Sequence, residues 1–277
     1  MMNSAIQVRG LKKRYDSNIV LNGLDFEIEK GETFALLGVN GAGKTTALEC
    51  IEGLRKYDSG TITVNGKMGI QLQSSSLPAH IKPMEAVKLF AKWNKAKIDD
   101  AVLNDLGIKG IEKKLYIQLS TGQKRRLHLA LALIGNPDII FLDEPTAGLD
   151  VEGRLSLHEQ IRKLKSRGKT IVLASHDMTE VETLCDRIAI LNNGNIVFCG
   201  TASELTDKVE KKYFIHIKTQ QGDNTFETDN IEDTLISLLS ELKQKKIHVL
   251  DIKVDRGTLV LMLSWAVMIS LCHADMR

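Results

Sequence analysis

The chain has 277 residues, 43% of them hydrophobic and 26% charged, so it can bury a sizeable core and is not intrinsically disordered. Lys and Arg number 37 against 35 Asp and Glu, and the net charge of +2 excludes a global electrostatic attraction to nucleic acid. The four cysteines, Cys50, Cys185, Cys199 and Cys272, are widely spaced, which indicates free thiols in a reducing cytosol rather than a zinc site or a disulfide framework.

The sequence has no stretch typical of a secretory signal or a membrane-spanning helix. Its first residues lack the apolar segment of about 7–15 residues that secretion requires. The longest uncharged apolar run, residues 259–272, has 14 residues, whereas a spanning helix needs ~20. We therefore expect the protein to remain inside the cell and to have no transmembrane span.

The start of the chain predicts strands around a phosphate-binding loop. Residues 6–28 alternate in short bursts typical of antiparallel strands, and the apolar run 33–37 is typical of a buried strand. The next segment, 38–45, is a P-loop sequence whose glycines let successive N–H groups form a nest for phosphate oxygens. Lys44 adds positive charge, and the predicted helix 45–51 points its N-terminus at the phosphates. The candidate phosphate-binding residues are Gly38, Asn40, Gly41, Ala42, Gly43, Lys44, Thr45 and Thr46.

Tyr15 lies in a charged loop within these strands and has two interpretations. An amphipathic ring on the surface is the simpler one. The alternative is a ring that stacks on a purine, because every nucleobase offers a π-face.

After the P-loop helix the pattern returns to strands. Residues 61–64 predict a strand that enters a tight hairpin at Asn65-Gly66, since this pair tolerates the positive φ of such turns. Residues 68–73 predict another strand.

The middle of the chain predicts helices. Pro83 fits the first position of a helix over 84–93, and a shorter helix over 99–106 ends at Gly107. We expect residues 74–136 to form a helical subdomain.

A further helix follows Ser120-Thr121-Gly122-Gln123 and runs to residue 134, before Gly135-Asn136-Pro137. The serine can simply cap this helix. Alternatively, the hydroxyl, the glycine and the amide offer donors to an anion at the helix N-terminus.

Two acidic residues stand at the end of an apolar strand. Residues 139–142 are typical of a strand buried in a parallel sheet, and Asp143 and Glu144 follow at its carboxyl end, where ligands bind in open α/β sheets. Asp143 can help to hold Mg²⁺ beside the Thr45 hydroxyl, and Glu144 can point at an attacking water. Solvated loop charges are the alternative.

A histidine occupies the equivalent position on the next strand. Residues 154–165 predict an amphipathic helix closed by Gly168, and residues 169–175 predict another buried strand that ends at His176. This histidine is either structural or part of the site. Beyond it, Asn192-Asn193-Gly194-Asn195 predicts a hairpin.

Taken together, the motifs closely resemble the nucleotide-binding subunit of an ATP-binding-cassette (ABC) transporter over residues 5–205. The resemblance rests on the P-loop, Gln73, Leu119 to Gln123, Ile139 to Glu144, Ala147 to Asp150, and His176. It implies an α/β fold with a P-loop NTPase (RecA-like) core, a mostly parallel sheet, an N-terminal antiparallel β subdomain and an inserted helical subdomain. Residues 1–205 would form this ATPase domain.

The resemblance also implies roles for single residues. Tyr15 would stack on adenine, and Asp150 would cross the interface between two cassettes. Catalytic roles fall to Glu144, His176, Lys44 and Gln73, metal binding to Thr45, Gln73 and Asp143, and nucleotide contacts to Ser120, Gly122 and Gln123.

The implied cofactors are ATP and Mg²⁺, and the implied partners are other subunits. Two cassettes, identical or not, would pair head to tail in the ATP state, and a separate membrane permease would carry the substrate. The chain would then be cytoplasmic and peripheral to the inner face of the cell membrane, with no nucleic acid bound.

Within the family, the chain is similar to exporters of drugs, antibiotics or other hydrophobic compounds. Thr121 departs from the glycine of the commonest signature, and we expect activity to survive. One alternative is a soluble ABC ATPase that acts on ribosomes or DNA. Another is a regulatory cassette without hydrolysis, against which Glu144 and His176 both argue.

The last part, residues 206–277, predicts a small α+β accessory domain of unreadable function. Strands are expected at 213–217 and 247–252, with a helix over 231–242 between them. The helix should turn Leu235, Leu238, Leu239 and Leu242 inward. The ending 259–277 departs from the family pattern, and we interpret it as an altered C-terminus, such as a shifted reading frame produces; a packed helix and an exposed tail are the alternatives.

Overall fold

The computed structural model describes residues 4–71, 76–210, 213–220, 222–245 and 247–256. The chain forms two compact units, Met1–Cys199 and Gly200–Arg277. Two predictions, the catalytic and metal-binding roles of Gln73 and the altered end at 259–277, lie outside the described residues. None of the described helices combines the length and apolarity of a membrane span.

The first unit starts with strands, continues through a helical segment and returns to alternating strands and helices. Its elements are β1 (Ser4–Tyr15), β2 (Asn18–Glu29), β3 (Thr33–Leu37), α1 (Lys44–Ile51), β4 (Ser59–Val64), β5 (Met68–Gln71), α2 (Pro83–Trp93), α3 (Asp100–Asp105), α4 (Thr121–Ala132), β6 (Ile139–Asp143), α5 (Val151–Ser166), β7 (Thr170–Ser175), α6 (Met178–Leu184), β8 (Arg187–Asn192) and β9 (Asn195–Gly200). Two 3₁₀ helices, Lys109–Ile111 and Tyr116–Gln118, lie between α3 and α4.

A six-stranded sheet in the order β5-β6-β7-β3-β8-β9 forms the centre of this unit. The strands from β5 to β8 in this order are mutually parallel. β3, β6 and β7 are buried along their whole length, which is why their sequences are continuous apolar runs. The mostly parallel α/β sheet expected from the sequence is confirmed.

A second sheet, β2-β1-β4, is antiparallel and confirms the N-terminal β subdomain. Its buried apolar side chains form one continuous core with those of β3, β6 and α1. Phe26 of β2 stacks on Phe34 of β3, with ring centroids 5.5 Å apart. The core therefore holds both sheets against the helix that follows the P-loop.

The hairpin predicted at Asn65-Gly66 is wrong. β4 pairs with β1 and β5 pairs with β6, so the turn connects two different sheets. Asn65 is tied to the first strand, because its N–H donates to the oxygen of Ala5 at 2.8 Å. A Cβ at Gly66 would lie 3.0 Å from Cβ of Asp138. The glycine is therefore needed for a close approach of two chain segments rather than for a positive φ.

The predicted helices of the middle segment are present. Pro83 opens α2, and Asp99 caps α3 by accepting the N–H groups of Ala101 and Val102. Gly107 ends α3 with a φ of 67°. α2 packs against α4, and Ala86 and Val87 of α2 are fully buried.

The predicted helix before β7 begins earlier than expected. Asp150 caps α5, since its Oδ1 accepts the N–H of Gly153 at 2.8 Å. β8 and β9 form the predicted hairpin, whose turn residues Asn193 and Gly194 have φ values of 44° and 74°.

The second unit contains α7 (Ala202–Glu210), β10 (Tyr213–Thr219), β11 (Gly222–Thr228), α8 (Ile231–Gln244) and β12 (Val249–Arg256). Its three strands form an antiparallel sheet in the order β11-β10-β12. The sequence did not predict β11. The prediction that Leu239 points inward is wrong, because its side chain is 38% exposed. A three-stranded sheet covers only one stripe of a helix, so α8 has half-buried leucines and no fully buried residue.

Candidate functional site

Three segments that the sequence predicted separately meet at one edge of the central sheet. β3, β7 and β6 are paired in register up to their last residues. Gly38, Glu144 and His176 each follow one of these strands directly. Because parallel strands end at the same edge, the three segments lie side by side.

The P-loop connects β3 to α1 and is pressed against neighbouring strands. A Cβ at Gly38 would lie 2.4 Å from the oxygen of Leu191, and one at Gly43 would lie 2.9 Å from the oxygen of Val20. Gly43 also takes a φ of 105° where α1 begins. The other candidate phosphate-binding residues lie in this loop and the first turn of α1: Asn40, Gly41, Ala42, Lys44, Thr45 and Thr46.

The amino group of Lys44 is buried and folds back over the loop. It donates to the oxygens of Gly38 at 2.7 Å and Val39 at 3.2 Å, and it lies 3.6 Å from Oε1 of Glu144. Burial lowers the pKa of Lys44, and the negative charges of Glu144 and Asp143 partly offset this. An anionic ligand in the loop would be a stronger partner for this ammonium group than the carbonyls are.

Glu144 and His176 form a contact at the edge of the sheet. Oε2 of Glu144 lies 2.8 Å from Nδ1 of His176, whose side chain is 55% exposed while that of Glu144 is buried. The backbone of Glu144 has a φ of 47°, and its N–H donates to the oxygen of Ala174 at 3.0 Å. A non-glycine residue in this region costs free energy, and strained residues of this kind recur at active sites and ligand-binding segments.

Asp143 is buried beside the first turn of α1. Its pKa is raised by burial, while a hydrogen bond from the Thr45 hydroxyl and the charge of Lys44 act in the opposite direction. Oδ1 of Asp143 has no hydrogen-bond partner among the described residues. A carboxylate oxygen without a partner next to a hydroxyl is a donor set that suits Mg²⁺. Gln73, the third predicted metal ligand, lies outside the described residues.

The signature segment forms the start of α4. Ser120 caps the helix by accepting the N–H of Gln123 at 3.3 Å, and the Gln123 amide oxygen accepts the N–H of Ser120 at 3.2 Å. Both interpretations of Ser120 therefore stay open, since a cap and an anion contact use the same end of the helix. Ser120, Thr121, Gly122 and Gln123 line a cavity of about 430 Å³ with residues 148–150. None of the residues that line this cavity belongs to the P-loop.

The ring of Tyr15 lies at the end of β1 among positive charges. Its centroid is 5.2 Å from Nζ of Lys13 and 5.5 Å from the guanidinium carbon of Arg55, which also donates to the hydroxyl. The side chain is 39% exposed. Stacking on adenine stays a prediction, and the same ring face would have to accommodate these cations.

Two charged residues near the acidic strand end were not predicted. Burial lowers the pKa of Arg125 on α4, and the charges of Asp143 and Glu144 act against this. Glu52 caps the end of α1, and burial together with the charge of Asp143 raises its pKa to about 7. Arg125 lies two residues after Gln123 of the signature and Glu52 lies directly after α1, but only the fold brings both near the acidic strand end.

Comparison with known proteins supports the same family. A family model described as ABC transporter matches residues 21–147. The linearmycin resistance ATP-binding protein LnrL of Bacillus subtilis (strain 168) is 33% identical over 270 residues, which cover 90% of this chain and 84% of that protein. The Nod factor export ATP-binding protein I of Burkholderia orbicola (strain AU 1054) is 36% identical, over 75% and 74% of the two chains.

Solved structures have the same fold. An ATP-binding subunit of an ABC transporter matches with a TM-score of 0.66 at 25% identity, covering 74% of this chain and 93% of that one. An ATP-binding cassette in its ADP conformation matches with a TM-score of 0.66 at 22% identity, over 76% and 95%. The P-loop NTPase fold predicted from the sequence is thereby confirmed. The chain belongs to the ABC transporter family as an ATP-binding subunit, and this family hydrolyses ATP to power transport.

Proposed function

We propose that this chain powers the export of drug-like or hydrophobic compounds through a separate permease, with Glu144 and His176 positioning the water that attacks ATP. The observation that carries the proposal is the cluster at the sheet edge. Beside the N-terminus of α1, Nζ of Lys44 lies 3.6 Å from Oε1 of Glu144. Oε2 of the same glutamate lies 2.8 Å from Nδ1 of His176. A cation, a carboxylate and an imidazole in this arrangement match phosphoryl transfer to water.

The chemistry needs little covalent participation by the protein. The water oxygen bonds to the γ-phosphorus while the bond between this phosphorus and the ADP oxygen breaks. The N–H groups of the P-loop and the ammonium of Lys44 stabilise the charge that develops on the phosphate oxygens. Glu144, oriented by His176, accepts a hydrogen bond from the attacking water and so aligns it, and the proton that this water loses ends on an oxygen of the released phosphate.

Mg²⁺ would be held by Asp143 and Thr45, with Gln73 as a third ligand. The carboxylate oxygen of Asp143 without a partner among the described residues, next to the Thr45 hydroxyl, supports this assignment. The ion would neutralise charge on the β- and γ-phosphates.

A second cassette would complete each site. The cavity beside Ser120 and Gly122 is separate from the P-loop, which supports a partner's nucleotide as its occupant. ATP would then join the two cassettes, identical or different, and hydrolysis would loosen them. Tyr15 would contact the adenine, and Asp150 would lie at the interface between the subunits.

The permease would bind the helical segment from the cytoplasmic side of the membrane. Leu89 and Trp93 lie one turn apart on α2 and are 53% and 78% exposed, which supports a docking surface there. Relatives named for linearmycin resistance and Nod factor export support outward transport. A relative from Mycoplasma mycoides, named for spermidine and putrescine import, is 34% identical, so direction needs its own assay.

The nucleotide site is tested first with the purified chain. Lys44→Ala should weaken ATP binding by at least about tenfold, because it removes the charge under the phosphates. Lys56→Ala, an exposed lysine on the same unit, should bind ATP like wild type. Equal affinity in all three proteins would contradict the assignment of the P-loop.

The transport role is tested with the membrane protein that copurifies with the tagged chain. Its reconstitution in vesicles should raise ATP hydrolysis and support export of a probe, with linearmycin as the first compound. Hydrolysis stimulated by ribosomes or DNA and unchanged by the membrane protein would favour the soluble alternative.

A further inference from the structure

A buried polar cluster lies directly behind His176 and takes no part in the proposed chemistry. Ser175 and Glu180 are 1% and 3% exposed, and the Ser175 hydroxyl donates to Oε2 of Glu180 at 2.6 Å. The same hydroxyl oxygen accepts the N–H of Asp177 at 3.1 Å. Ser175 and Asp177 flank His176, so the cluster fixes the backbone from which the imidazole reaches Glu144.

The cluster is also joined to α5. Nε2 of His158 faces Oε1 of Glu180 at 3.6 Å, both side chains are largely buried, and neither of these two atoms has a hydrogen-bond partner among the described residues. Arg154, one turn earlier, places Nη1 3.8 Å from Oδ2 of Asp177, while its Nε donates to the oxygen of Leu149 at 3.2 Å. Arg154 of α5 therefore contacts the loop before α5 through a hydrogen bond and Asp177, two residues after β7, through a half-exposed ion pair.

Stability alone does not account for this cluster. Burying a carboxylate costs free energy, and well-packed apolar side chains at such sites are often as stable or more so. What the cluster provides is a defined position for one short segment. Asp177 adds to it by capping α6, since its Oδ1 accepts the N–H of Thr179 at 3.0 Å.

We propose that Glu180 is a positioning residue for His176, acting through Ser175, and that Arg154 links this segment to the loop before α5. The inference rests on the proposed role of His176 at the γ-phosphate. In a pair of cassettes that loop would face the partner, so the loop and His176 would move as one unit. Glu180 accepts its hydrogen bond from Ser175, and would act on His176 only through this contact.

The main test combines Glu180→Gln with His176→Ala in steady-state ATPase assays. Glu180→Gln should lower kcat about tenfold and leave KM for ATP within about twofold. The P-loop contacts the cluster through the backbone oxygen of Ser175, which accepts the N–H of Gly38 at 3.3 Å, and not through the Glu180 side chain. In the His176→Ala background the same substitution should have no further effect on kcat. A structural role alone would lower kcat equally in both backgrounds.

Glu32→Gln is the matched control, because Glu32 is also a buried carboxylate and pairs with Arg187 at 3.2 Å. It should lower the thermal midpoint and leave kcat within about twofold. If Glu180→Gln does not fold, Arg154→Ala tests the inference through the link between α5 and Asp177. The Arg154 side chain is half exposed, so the fold should tolerate its loss, and kcat should fall about threefold. Arg162→Ala, an exposed arginine on the same helix, should match wild type.

Three results would overturn the inference: wild-type kcat in Glu180→Gln, equal losses with and without His176, or equal kcat in Arg154→Ala and Arg162→Ala. Wild-type turnover in His176→Ala is a different outcome. It would remove His176 from the proposed chemistry and the inference with it.

Discussion

A buried histidine contributes to the pH dependence of the free energy of unfolding, and its contribution can be measured separately. His128 on α4 is 9% exposed, and its Nε2 lies 2.9 Å from the hydroxyl of Tyr116. Burial, with added repulsion from Arg125 and Lys124, lowers its pKa from 6.5 to about 4. The folded chain thus keeps His128 neutral at pH values where the unfolded chain protonates it. Because the unfolded state binds more protons, stability falls as pH drops from 6.5 to 4, by about 3 kcal/mol.

A buried carboxyl works in the opposite direction over nearly the same range. Burial, the charge of Asp143 and that of Glu49 raise the pKa of Glu52 from 4.5 to about 7. Here the folded state binds more protons, so stability falls as pH rises from 4.5 to 7, again by about 3 kcal/mol. The two contributions largely cancel in the wild-type protein, and only variants separate them.

The assay is urea unfolding followed by far-UV circular dichroism at pH 7.5 and 4.5. Between these two values, His128→Gln should lose about 3 kcal/mol less unfolding free energy than wild type, and Glu52→Gln about 3 kcal/mol more. His80→Gln, an exposed histidine in a loop, is the control and should follow wild type. If His128→Gln follows wild type as well, the reasoning about its buried neutral form is refuted.

Further predictions concern the P-loop, the metal ligands and the signature. Gly38→Ala should abolish ATP binding or destabilise the fold by at least about 2 kcal/mol, since its Cβ would lie 2.4 Å from a carbonyl oxygen; a melting curve and a binding titration decide. Thr45→Ala should raise the Mg²⁺ concentration for half-maximal hydrolysis by at least about tenfold, and an unchanged requirement would exclude Thr45 as a ligand. Thr121→Gly should keep ATPase activity within about threefold, because the Thr121 methyl is not tightly packed against Gly148: even a Cβ added at Gly148 would lie 3.7 Å from it. A loss above about tenfold would contradict the expectation that threonine is tolerated in the signature.

Elements with strong local signals were predictable. The apolar runs of β3, β6 and β7 have the pattern of strands buried on both faces, and all three strands are present within a residue or two of their predicted ends. Residues that start or end helices were equally predictive: Pro83 begins α2, and Gly107 follows the end of α3. In these places the residues that decide the structure are neighbours in sequence.

Elements whose structure depends on a partner distant in sequence could not be predicted. Asn65-Gly66 has the composition of a hairpin turn, yet β4 pairs with β1 and β5 with β6, and the paired residues are at least 47 positions apart, as between Lys12 and Ser59. The exposure of Leu239 depends on how much of α8 a three-stranded sheet covers. Neither the pairing nor the coverage is encoded in a short window.

The candidate site divides in the same way. Lys44, Glu144 and His176 were found because each stands at a fixed distance from a motif or at a strand end, although their roles stay predictions. Glu180 and His158 carry no such signal, and a glutamate on a helix is ordinarily a surface residue. Their pairing follows from the packing of α5 against α6, which only the fold reveals.

The measurement that tests the central claim most directly is ATP turnover by Glu144→Gln together with its oligomeric state in ATP and Mg²⁺. We predict that ATP still binds, that turnover falls at least about 10²-fold, and that the variant elutes as a dimer with ATP and as a monomer without it. Glu159→Gln, an exposed glutamate on α5, should hydrolyse ATP like wild type. Undiminished hydrolysis by Glu144→Gln, or a monomer saturated with ATP, would contradict the account.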